Sequence, residues 1–143
     1  MGDHMEQKII NKLIKLIDKA SKQDEVPVAA ILTMNNKIIS TYYNRREKNN
    51  NIINHAEILC ILKAAKKLKT WKLDNCTLYV TLEPCSMCKK VIQESRIKNV
   101  YYFLEKPENK KEYNNTIYTK LEDKTTVEII KNKMQNFFIN KRK

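Results

Sequence analysis

Apolar residues recur along this chain with two different periods, and the switches between them lay out the elements. Between residues 6 and 20, Ile9, Ile10, Leu13, Ile14, Leu16 and Ile17 fall at helical spacing with lysines on the other side, which predicts an amphipathic helix facing a core. Residues 28–34 and 37–43 are short β-rich runs joined by Asn35-Asn36. Asparagine tolerates left-handed backbone angles, so the pair predicts a tight hairpin turn without glycine. Asn49-Asn50-Asn51 reads as a loop, and Ile58, Ile61, Leu62, Ala65 and Leu68 predict a second amphipathic helix starting near His55. A buried strand over 78–81 is stopped by Glu83-Pro84. A helix from about 85 to 94, a strand over 99–103 and a polar loop over 105–115 follow. A short strand near 127–130 then leads into a basic C-terminal helix. Helix, hairpin, then alternating helices and strands predict a layered α/β domain, with no internal repeat and no linker.

Composition narrows this reading by exclusion. The chain has 143 residues, the length of one compact domain, and its 42% hydrophobic and 31% charged content is that of a globular protein. Its single glycine, Gly2, excludes a phosphate-cradling P-loop and a dinucleotide-binding fingerprint, so no nucleotide cofactor is expected. Met1-Gly2-Asp3-His4 reads as the remnant of an added tag, with Met5 as the native start and one domain over residues 5–143. That leaves His55 as the one histidine available for chemistry. No apolar run approaches the roughly 20 residues that span a bilayer, and no secretory pattern opens the chain. The expectation is a soluble cytoplasmic protein with no membrane partner.

Charge points to a polyanion, with a discount. The formal charge is +12, but 24 of the 28 basic residues are lysine and the chain also holds 16 asparagines and 17 isoleucines. Joint enrichment of these three suggests an AT-biased genome, so part of the basicity is drift. Location says more: residues 131–143 contain five basic residues and no acidic one.

The candidate chemistry lies in His55-Ala56-Glu57 and Pro84-Cys85-Ser86-Met87-Cys88. Two cysteines separated by two residues suit a tetrahedral zinc, and His55 makes a third ligand, leaving the fourth position for water as in catalytic zinc sites. Both ligand groups fall where helices should begin. Pro84 is tolerated there, and the helix N-terminus favours thiolates. Glu57 lies about 200° around the helix from His55 and is therefore not read as a ligand of the same kind. Near a helix start it can reach the zinc-bound water, taking its proton and handing it to a leaving nitrogen. A redox Cys-x-x-Cys pair would need neither His55 nor Glu57. A closed structural zinc would need Cys60 or Cys76, which read better as small buried hydrophobes. No disulfide is expected.

His-x-Glu with Pro-Cys-x-x-Cys is the signature of the zinc-dependent cytidine and adenosine deaminase superfamily. More closely, Glu25-Val26-Pro27-Val28, Asn44-Arg45, His55-Ala56-Glu57-Ile58, the run from Leu78-Tyr79-Val80 through Cys88, and Ser95-Arg96-Ile97 resemble the bacterial tRNA-specific adenosine deaminases in order and spacing. Phe137-Phe138 followed by Lys141-Arg142 is similar to the C-terminal helix of those enzymes. The resemblance implies a three-layer α/β/α cytidine-deaminase-like fold around a mixed sheet of about five strands. It also implies a homodimer that converts adenosine to inosine at the first anticodon position of tRNA. One zinc per subunit would be held by His55, Cys85 and Cys88, with Glu57 as proton shuttle. Asn44 would hydrogen-bond the base and Val28 would wall its pocket. Phe137, Phe138 and Arg142 would meet the anticodon stem-loop, although the two phenylalanines alone read more readily as packing. This chain departs from the resemblance at residues 105–111, where Lys106 takes a position usually acidic, and at Lys89-Lys90, which replace small residues. Ala29 and Asn54 also replace a usual glycine and alanine. Two other readings remain: a deaminase of free bases or nucleosides of the guanine or cytosine type, and a non-catalytic, zinc-stabilised RNA-binding module.

Overall fold

The computed structural model describes residues 3–45, 55–106 and 115–141, with side chains described over 6–45, 55–106 and 115–140. Within these, helix α1 (Asp3–Lys22) precedes strands β1 (Ala29–Met34) and β2 (Lys37–Tyr43), then α2 (Ala56–Leu68), β3 (Cys76–Leu82) and α3 (Ser86–Glu94). Strands β4 (Asn99–Leu104) and β5 (Ile117–Lys120) and helix α4 (Lys124–Lys141) follow. The hairpin turns at Asn35 and Asn36 with φ of 52° and 61°, the paired left-handed angles of a two-residue turn.

The sheet order is β2-β1-β3-β4-β5, with β1 antiparallel to both β2 and β3 and with β3, β4 and β5 mutually parallel. Side-chain alternation along each strand then builds two cores. In β1, Ala30 and Leu32 join Leu78 and Val80 of β3 beneath Ala56, Cys60, Ile61 and Ala64 of α2 and Ile92 of α3. Ala29 and Ile31 turn the other way with Tyr79 and Phe103, against Ile9, Ile10, Leu13 and Ile17 of α1 and Ile130 of α4. The result is the expected three-layer α/β/α arrangement, with α2 and α3 on one face and α1 and α4 on the other.

Two sequence expectations are corrected. Residues 127–130 are not a strand; they lie inside α4. Thr125, Thr126, Val127, Ile129 and Ile130 have strand-like chemistry, but Asp123 starts a helix ahead of them. Its carboxylate accepts from Thr126 N at 3.1 Å and its carbonyl from Val127 N at 2.9 Å. Ile130 is then buried on the α1 side. The fifth strand is the short edge strand at Ile117–Lys120. In α2, Leu62 faces solvent, because the buried stripe runs through Ala56, Ile58, Cys60, Ile61 and Ala64. The loop expected at Asn49-Asn50-Asn51 and most of the loop expected at 105–115 lie outside the described residues. Among the described residues, no helix is long and apolar enough to cross a membrane.

Candidate active site

The carboxyl end of β3 meets the N-termini of α2 and α3, the side of a parallel sheet where ligand crevices form. Each helix begins on an extended residue: His55 at φ −70°, ψ 148°, and Cys85 at φ −72°, ψ 172°. Residues at this position usually turn a side chain back to cap their own helix. Neither does so here. Asn44 takes over the task for α2, its Oδ1 accepting from Ala56 N at 2.8 Å. The His55 ring and the Cys85 sulfur are thereby released to face each other.

His55 Nδ1 lies 3.8 Å from Cys85 Sγ and 3.3 Å from Cys88 Sγ, and the donor atoms of the three residues all fall within 4.8 Å of one another. A tetrahedral ion with bonds of about 2.0 to 2.3 Å separates its ligand atoms by about 3.5 Å. The cluster is thus close to the spacing that a metal ion needs, and its mixed nitrogen and sulfur donors suit zinc. Hydrogen bonds from Cys88 and His55 bring the Cys85 thiol down to about 3. The Cys88 thiol is pushed up by the same bond to Cys85 and by burial.

Glu57 is buried beside this cluster, and its Oε1 has no hydrogen-bond partner. Burial raises its pKa, and His55 and the bond to Cys88 only partly oppose that. That oxygen, beside donor atoms that could hold a metal ion, is placed to bond a polar group in the cavity.

These groups share a cavity of about 130 Å³ lined by Val26, Val28, Asn44, His55, Glu57, Leu82, Glu83, Cys85 and Lys106. Val28, Asn44, His55, Glu57 and Cys85, singled out in the sequence, are thus brought together, with Cys88 in the metal-binding group behind them. The sequence does not mark Val26, Leu82, Glu83 and Lys106 as lining residues. Their one signal is adjacency to the motifs, since Val26, Leu82 and Glu83 lie inside the deaminase-like runs and Lys106 departs from the usual acidic residue. Phe137 and Phe138 do not line the cavity. They sit on α4, edge to face at 5.3 Å, with Phe137 in a groove beside Asp18 and Lys133 and Phe138 46% exposed. Arg142 lies outside the described residues. Cys60 is committed elsewhere: its sulfur lies 3.1 Å from Ser40 Oγ, burial pushes its thiol up to about 12, and neither it nor Cys76 joins the metal-binding group.

The sequence profile of the MafB19-like deaminases matches residues 4–142. The chain belongs to that deaminase family. It is 38% identical over 131 residues to the tRNA-specific adenosine deaminase of Buchnera aphidicola subsp. Schizaphis graminum, covering 86% of this chain and 87% of that protein. To the tRNA-specific adenosine deaminase of Bacillus subtilis it is 44% identical over 93 residues, which span 65% of this chain and only 58% of that relative. A solved structure from work on A-to-I editing by tRNA:A34 deaminases superposes with a TM-score of 0.73 at 29% identity, covering 81% of this chain and 99% of the other. The guanine deaminase of Bacillus subtilis superposes at 0.66 with 30% identity, covering 73% and 66%. Deaminases thus share this fold while acting on different bases.

Proposed function

We propose that this family member is a zinc-dependent tRNA adenosine deaminase, converting adenosine to inosine at the first anticodon position. The observation that carries the chemistry is the unbonded, buried Glu57 oxygen beside the His55, Cys85 and Cys88 donor atoms in one cavity. The 38% identity to a tRNA-specific adenosine deaminase over most of both chains supports the choice of substrate.

His55, Cys85 and Cys88 would hold one zinc. When bound, the ion supplies Lewis acidity that makes water an effective nucleophile at neutral pH. Glu57 would take a proton from the attacking water as its oxygen bonds C6, and would carry the protons of that water to N1 and to the exocyclic nitrogen. The C6–N bond breaks, oxygen replaces nitrogen, and ammonia leaves. The Asn44 carboxamide oxygen is already engaged by Ala56 N, so its NH₂ is the half that addresses the base. Val28 and Leu82 supply apolar wall, and a cavity of about 130 Å³ suits one flat base better than a whole nucleotide. An anticodon loop fits this reading because its unstacked bases enter such a pocket without melting a duplex. Arg142 and its neighbouring basic residues would meet phosphates of the stem. Phe137 and Phe138 would shape that end of α4. A homodimer working in the cytoplasm completes the proposal, on the resemblance to the bacterial enzymes.

The test is product formation by zinc-loaded protein on a tRNA with adenosine at the first anticodon position, beside free adenosine, cytidine and guanine. Inosine at that position is the expected result. Ammonia from guanine or cytidine without reaction on tRNA would replace the substrate while keeping the chemistry.

A further inference from the structure

Lys89 follows the second cysteine in α3 and is buried, an unusual place for a lysine in a chain with so many exposed ones. Its ammonium lies 3.2 Å from Glu83 Oε2, with the two side chains 8% and 14% exposed. It also lies 4.9 Å from the centroid of the Tyr118 ring in β5. The other oxygen of the same carboxylate, Glu83 Oε1, accepts from Lys106 N at 3.2 Å. Glu83 and Lys106 both line the catalytic cavity. The β3–β4 register reaches Leu82 and Leu104, and Glu83 N still donates to Leu104 O. Past that point the Glu83 side chain takes over and holds the departing chain at Lys106.

We propose that Lys89 is a positioning residue for the cavity rim: its ammonium fixes the Glu83 carboxylate, which fixes the Lys106 backbone where the substrate enters. Three segments meet through this one carboxylate: the end of β3, the first turn of α3 and the chain leaving β4. The pairing also neutralises a carboxylate on the cavity wall, which would otherwise repel the phosphates flanking a target base. A buried ion pair of this kind contributes little net stability against a well-packed apolar replacement, so its structural content is geometry. It acts on substrate entry and not on the reacting atoms, so it governs KM more than kcat. That kinetic part rests on the deaminase reading above. The arrangement of the rim does not.

The experiment compares wild type, Lys89→Met, and the double variant Lys89→Met/Glu83→Gln. The double variant leaves no unpaired buried charge, while the carboxamide oxygen can still accept from Lys106 N. Amide hydrogen exchange at Lys106 is read first, without substrate. Lys89→Met is expected to lose at least tenfold protection there with the β4 amides unchanged, and the double variant to recover most of it. Unchanged protection at Lys106, in a variant that still folds, overturns the proposal whatever the activity. Should Lys89→Met fail to fold, the double variant Lys89→Met/Glu83→Ala, which removes the ammonium and the acceptor together, is expected to lose protection at Lys106, and wild-type protection there overturns the proposal. On the RNA substrate, Lys89→Met is expected to raise KM about tenfold with kcat within about twofold. A fall in kcat at unchanged KM would show a general packing role and overturn the positioning claim. Absence of turnover in wild type on every substrate would instead strike the deaminase reading, leaving the exchange result to decide the rim.

Discussion

Asn44→Ala separates what folds the site from what reacts in it. The Asn44 oxygen accepts from Ala56 N at 2.8 Å, both residues are buried, and the residue starting α2, His55, supplies no side-chain cap of its own. Removing the carboxamide leaves a buried N–H unsatisfied at the first turn, worth about 1–3 kcal/mol. In a domain of this size each kcal/mol moves Tm by roughly 2–4 °C, so a fall of about 4–8 °C is expected for ~2 kcal/mol. His55 is the residue immediately before the unsatisfied amide, so its ring loses its fixed aim at the two sulfurs. Zinc affinity should drop about 10–100-fold, the usual loss when a group supporting a ligand is removed. Thermal denaturation of the metal-free protein and chelator competition for zinc read the two effects separately. Asn11→Ala, at an exposed asparagine paired only with Gln7 one turn away, should leave both within error. A Tm within about 1 °C of wild type together with unchanged zinc affinity for Asn44→Ala would show that this carboxamide does not seat α2 and its histidine.

Cys88→Ser should reduce bound zinc from one per chain to a small fraction of that, with helix content retained, whereas Cys60→Ser should keep the full complement. Metal loss in Cys60→Ser would revive a closed four-ligand site and the non-catalytic RNA-binding reading. Deleting residues 131–143 would be a poor test of RNA binding by the tail, because Met134 packs on the core and Lys133 is held by Asp18. The triple variant Lys141→Ala/Arg142→Ala/Lys143→Ala is the sharper tool. Its tRNA affinity should fall at low salt, and the slope of log K against log salt should shrink by about one for each phosphate no longer neutralised. An unchanged slope removes the tail from RNA binding.

The candidate metal cluster is legible in sequence because metal chemistry restricts residue types and spacing together. His55, Glu57, Cys85 and Cys88 lie on two separate helix starts, and few other uses require that combination. The hairpin is legible for a similar reason, since Asn35-Asn36 is one of few glycine-free pairs able to turn so tightly. Strand five escapes the sequence reading because its four residues form an exposed edge with a weak pattern, while the β-branched run just after it looks more like a strand. There the Asp123 cap and the packing of Ile130 against α1 outweigh intrinsic strand preference. The role of Asn44 as a cap for α2 is also hidden, because its donor partner lies 12 residues away in sequence. Nor can Lys89 be recognised as buried: nothing in a lysine-rich sequence marks which lysine meets a carboxylate and a tyrosine ring away from solvent.

In the proposed function, Glu57, beside a zinc held by His55, Cys85 and Cys88, drives deamination of a tRNA base. The most direct test is inosine formation at the first anticodon position by wild type and Glu57→Gln, each confirmed to carry one zinc per chain. Inosine from wild type and a loss of about 100-fold or more in the variant at equal zinc content are expected. Turnover by Glu57→Gln within a few-fold of wild type would contradict that role of Glu57.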